Sequence, residues 1–231
     1  MGYIRKVGSG EEGLRERGES MDWEDLRTRI KSDFDAKNAT REEVLKLCRS
    51  LVQTSSYLIR AVHRGEREEA LRLAEQAAEL SASIAHITAD HPEVYTAGFV
   101  HDAQKEYAEA RLTYALIYGE EIPGPEDLGV EYPAYLNGLG EAVGELRRAI
   151  LDLIREGHLE RSDELLSYMD DIYYLLVSFD YPDAITGNLR RTTDMARGII
   201  ERTRGDLTTA IRQSKLRQAI SELERRLESG R

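Results

Sequence analysis

Two pairs of glutamates have the types and spacing to do chemistry. Glu106 and Glu109 stand three residues apart, and Glu141 and Glu145 stand four apart, so in a helix each pair shares one face. Asp102, at four and seven residues before Glu106 and Glu109, extends the first face. If the two helices pack antiparallel, the two pairs face each other and four carboxylates converge on one point, where like charges repel unless they are protonated or share a cation. An all-oxygen ligand set suits a hard divalent ion, Mg²⁺ or Mn²⁺. The same glutamates also fit solvated helix faces, where Glu is abundant.

What separates the second pair from an ordinary surface is its setting. The stretch Tyr135 to Arg148 reads as helix, yet it contains Gly138, Gly140 and Gly144, each costing about 1 kcal/mol relative to Ala. Glycines in a helix allow a close approach by a neighbouring backbone or a ligand.

Other chemistries fit less well. The histidines, at 63, 86, 91, 101 and 158, make neither a zinc-protease spacing nor the Glu-x-x-His of di-iron bundles. Gly138-x-Gly140 follows no strand, so it is not a dinucleotide loop. Cys48, the single cysteine, lies in an apolar run and reads as buried filler. Arg190, Arg191 and Arg197 lie in a segment, Asn188 to Arg217, with eight basic residues against three acidic ones. Guanidinium groups match phosphate geometry, and such arginines also serve in surface or intersubunit ion pairs.

The elements that must position these groups are helical. Trp23, Leu26, Ile30 and Phe34 mark one face of a short amphipathic helix from Met21 to about Lys37. Seven long helices are then predicted. Thr40 with Glu43 forms a capping box that opens the first, to about Gly65, and the second runs over 66–88 after a tight reversal. The third spans about 92–118, and a proline-rich loop over 120–133 leads to the fourth, ending near Gly157. The fifth covers 159–179, the sixth about 184–203, and Asp206 caps a seventh reaching about Leu227. No strand pattern is present, so the fold class is all-α, one domain over 21–228, with residues 1–20 as a flexible N-terminal extension.

Composition narrows the function classes. No apolar run nears the ~20 residues that span a bilayer, and no secretory h-region opens the chain, so no membrane is expected and the cytoplasm is the default compartment. A net charge of -11 argues against indiscriminate binding of polyanions and directs attention to the local basic segment.

The run Lys105-Glu106-Tyr107-Ala108-Glu109-Ala110 resembles the Glu-Tyr-x-Glu-Ala motif of the translin family, in particular of translin-associated factor X. Tyr135-Leu136-x-Gly138 followed by Glu141-x-x-Gly144-Glu145-Leu146 is similar to that family's second motif. Phe179 to Arg204 looks most like archaeal-type members, and the likeness covers about Met21 to Leu227. It implies a seven-helix curved protomer that builds a hollow homo-oligomer, often an octamer, binding single-stranded RNA or DNA inside. It further implies a Mg²⁺-dependent endoribonuclease, with Glu106, Glu109, Glu141 and Glu145 as catalytic metal ligands. Glu141 stands where that branch usually has Asp, which lengthens one ligand arm by a methylene. Arg190, Arg191, Arg197 and Lys105 would hold the strand by its backbone. The alternative is a non-catalytic single-strand binder of the same architecture.

Overall fold

A computed structural model describes residues 21–229; the N-terminal extension expected over 1–20 lies outside the described residues. The chain divides into one unit ending at Asn38 and another beginning at Ala39. In the first, the described residues are helical from Trp23, with Trp23, Ile30 and Phe34 exposed. Among the described residues, all the buried ones belong to the second.

Among the described residues there are six long helices, three single-turn helices and no strand. The long ones are α1 (Trp23–His63), α2 (Arg67–Ile87), α4 (Gly98–Tyr118), α6 (Tyr132–Glu156), α7 (Leu159–Val177) and α9 (Leu189–Ser229). The short ones are α3 (Pro92–Tyr95), α5 (Pro125–Leu128) and α8 (Asp183–Thr186). The all-α class expected from the sequence holds, and the helix boundaries differ in instructive places.

Thr40 does not cap a helix, because α1 passes straight through it. Asp35 to Asn38 holds neither Gly nor Pro, so continuing costs only ~0.5–0.7 kcal/mol per poor helix former, less than the backbone hydrogen bonds a break gives up. Asp206 likewise lies inside α9 and accepts a hydrogen bond from Arg147 Nη2 at 2.8 Å instead of capping. Conversely, the segment expected as one helix over 92–118 is interrupted at Thr96 and Ala97. There the Thr96 amide and hydroxyl both donate to the Pro92 carbonyl.

Helices α4, α6, α7 and α9 pack around one apolar core that includes Tyr107, Leu112, Leu146, Ile150, Leu165, Met169 and Leu189. A second cluster, Leu58, Ala61, Val62, Ala70, Leu73 and Ala74, joins α1 to α2 and meets α4 at Ala110. Gly65, at φ +70°, makes the reversal between those two helices.

The direction of α6 relative to α4 bears on the site. An antiparallel pair is the simplest way for successive helices to meet, yet these run the same way. Glu131, before α6, lies beside Gln104 near the start of α4, and Arg161, after α6, donates to the carbonyls of Leu116 and Ile117 at its end. The proline-rich loop makes this possible. The 13 residues between α4 and α6 can reach ~43 Å when extended, more than the ~30 Å length of a 21-residue helix. The return path is pinned by Tyr135, whose hydroxyl donates to the Pro123 carbonyl at 3.0 Å, and by buried Leu128 and Val130.

Candidate metal centre and its basic border

The register between α4 and α6 is set at Gly138. A Cβ there would lie 2.6 Å from the Lys105 carbonyl oxygen and 2.9 Å from the Glu109 amide nitrogen, so only glycine lets the two backbones meet. Gly140 serves a second contact, where a Cβ would run into Thr192 Cγ2. Gly144 differs, with nothing within 4 Å. The glycines that looked like a gap for a ligand are therefore, at two of three positions, helix-packing contacts.

Packing at Gly138 brings three carboxylates together. Glu106, Glu109 and Glu141 each offer an oxygen, and these atoms lie within 4.8 Å of one another. Glu109 feels this most: burial first, then the charges of Glu141, Glu106 and Glu145, push its pKa up to about 8. Lys105 borders the cluster, its Nζ donating to both oxygens of Glu141 at 2.7 Å and lying 3.4 Å from Glu106 Oε1. Burial works against the ammonium charge, but bonding to Glu141 and the Glu106 charge outweigh it, and the Lys105 pKa moves upward.

Glu145 is turned elsewhere. His63 Nε2, at the end of α1, lies 2.5 Å from Glu145 Oε2, and the histidine side chain is only 5% exposed. This hydrogen bond lowers the Glu145 pKa against the effect of burial, so Glu145 is the accepting carboxylate and His63 the donor. No spacing in the sequence links these residues, 82 positions apart. Only the packing of α1 near the site does so.

The arginines separate as well. Arg191 lines a cavity of about 380 Å³ with His101, Asp102, Lys105, Asn137 and Glu141. Its place follows from Asn137, which donates to the Thr186 carbonyl and accepts from the Thr192 hydroxyl at 2.6 Å, fastening the start of α9 to α6. Arg190 opens instead onto a hollow with Asp180, Asp183 and Asp194. Arg197 is exposed and lies 3.4 Å from Glu201. Thus Lys105 and Arg191 share the border of the carboxylate cluster, and Arg190 and Arg197 do not.

The donor set fits a hard cation. Oxygens bound at 2.0–2.1 Å around one Mg²⁺ lie roughly 3–4 Å apart, within a small side-chain adjustment of what Glu106, Glu109 and Glu141 present. A cation would also offset the burial and the neighbouring charges that push the Glu109 pKa up to about 8.

An all-α bundle whose third and fourth long helices carry this acidic cluster has the layout that the translin resemblance implies. No protein-family model matches the chain. An uncharacterized protein of Methanocaldococcus jannaschii is 32% identical over 191 residues, 81% of this chain and 84% of that one. The structure of AfC3PO is similar at TM-score 0.72 and 36% identity, covering 82% of this chain and 97% of that one. AfC3PO in complex with duplex RNA gives the same score and identity, with 82% and 96% covered. Apo-NeC3PO, at 22% identity and TM-score 0.72 over 84% of this chain and 100% of that one, shares the fold. The chain belongs to the translin family, among its factor-X-like members.

Proposed function

We infer that this protein is a Mg²⁺-dependent endoribonuclease that binds single-stranded RNA inside a hollow homo-oligomer, an octamer. The observation that carries this is the convergence of Glu106, Glu109 and Glu141 within 4.8 Å, beside a cavity bordered by Lys105 and Arg191. RNA as the ligand is supported by the relative held in complex with duplex RNA.

The three carboxylates would hold Mg²⁺ or Mn²⁺, which when bound supplies an activated water and neutralises charge on the scissile phosphate. The chain's own residues do the rest. Arg191 offers a bidentate donor to a phosphate entering the cavity. Lys105, which donates to Glu141, would be free to meet a second phosphate oxygen if the carboxylates held an ion. Glu145, held as a carboxylate by His63, adds negative potential that favours the cation. Because backbone phosphates are the contacts, little sequence preference and a strong salt dependence follow.

A non-catalytic RNA binder is the alternative, and one observation favours it: Lys105 already neutralises Glu141 and approaches Glu106, so two of the three carboxylates have a cationic partner without a metal. Thermal unfolding with and without about 5 mM Mg²⁺ separates the two. Binding at ~100-fold above Kd stabilises by about 2.7 kcal/mol, so a rise in Tm that disappears in Glu106→Gln supports the ion site. No shift in the parent favours the non-catalytic binder.

A further inference from the structure

The last third of α9 leaves the core behind. Leu207 is its last buried residue, and every residue from Lys215 to Ser229 is exposed although the helix continues to Ser229. Fifteen exposed residues make a rod of ~22 Å, and a helix of that length is marginal in water without a packed face. This rod has an apolar face. Leu216, Ile220, Leu223 and Leu227 are 62%, 49%, 59% and 65% exposed, and their 4-3-4 spacing is the a/d seam of a coiled coil. Upstream the pattern stops, with Gln213 and Thr209 at the preceding seam positions, so the seam begins where the core ends.

We propose that this seam packs against the same seam of a second copy of the chain, with the two helices antiparallel. In that arrangement Leu216 faces Leu227 and Ile220 faces Leu223, so one register buries all four residues of both copies in four layers. The flanking charges choose the direction. Arg217 and Glu224 lie on the same side of the seam, and neither forms an ion pair within the chain among the described residues. Antiparallel pairing sets Arg217 of each copy opposite Glu224 of the other, twice by symmetry. Parallel pairing instead sets Arg212 against Arg217, a like-charge contact that opposes association. On the other flank, Ala219 meets Arg226, which is already engaged with Glu222 on its own helix. The inference rests on α9 alone and is independent of RNA cleavage.

Cross-linking the full-length protein with a bis-maleimide of about 8 Å reach tests it. Cys48 is buried, and burial pushes its thiol up to about 11, so it stays silent. Leu216→Cys and Leu227→Cys are prepared separately. The antiparallel seam puts like positions 11 residues apart, ~16 Å along the helix, so neither variant alone cross-links, whereas their mixture does. Arg217→Glu added to both reduces that yield severalfold, and Glu224→Arg added as well restores it. Cross-linking of either variant alone, or none in the mixture, overturns the proposal.

Discussion

Glu109 is the residue whose ionisation the fold most opposes. Its pKa of about 8 lies above the ordinary 4.5, so between those values the folded chain keeps a proton that the unfolded chain releases. The metal-free protein therefore loses stability as pH rises through that window. Glu109→Gln cannot ionise, and its Tm at pH 8 should exceed the parent's by ~5 °C while its pH dependence flattens; thermal scans from pH 5 to 9 check this. Mg²⁺ should stabilise the parent more at pH 8 than at pH 5, because it competes with the proton on Glu109. His63 makes a separate prediction. Removing the donor to a half-buried carboxylate costs ~1–3 kcal/mol, so His63→Ala should lower the urea midpoint, and Glu145→Gln with His63→Ala should lower it by less than the sum of the two single changes.

At the scale of elements, the glycines of α6 divide by what they touch. A methyl at Gly138 would meet the α4 backbone at 2.6 Å, and overpacking of that kind costs ~1–3 kcal/mol or more. Gly138→Ala should therefore destabilise the protein and separate Glu141 from Glu106 and Glu109. Gly144 faces open space, so Gly144→Ala should stabilise by up to ~1 kcal/mol through helix propensity, read as a higher urea midpoint.

This contrast also bounds what the sequence could reveal. Periodicity located the long helices, and the 3- and 4-residue spacings put Glu106 with Glu109 and Glu141 with Glu145 on their faces. Local spacing carries no information on how a loop routes the chain, so the parallel course of α4 and α6 was not legible. The His63–Glu145 bond was hidden for the same reason. Capping signals at Thr40 and Asp206 misled because a cap residue marks a helix start only where the preceding residues break the helix; Asp35 to Asn38 holds no breaker, and α9 absorbs the lone Gly205 before Asp206 at about 1 kcal/mol.

At the scale of the whole molecule, a chain of net charge -11 that binds RNA as proposed must do so through a local basic site. Arg191 and Lys105 border one cavity, which Asp102 and Glu141 also line. Two phosphate contacts, from Arg191 and Lys105, give a single-strand salt slope of about -1.4, so raising salt from about 50 to 200 mM should weaken RNA binding by roughly 7-fold. Arg191→Ala should reduce that slope by about 0.7, measured by fluorescence anisotropy. Among the described residues no helix is long and apolar enough to cross a membrane.

Cleavage itself is tested most directly on a labelled single-stranded RNA, incubated with the parent and with Glu106→Gln plus Glu141→Gln, each in Mg²⁺ and in EDTA. The three-carboxylate site predicts that the parent cuts in Mg²⁺ and not in EDTA, and that the double variant is slower by about 100-fold or more. Cutting in EDTA, or a double variant that cuts at the parent's rate, would contradict it.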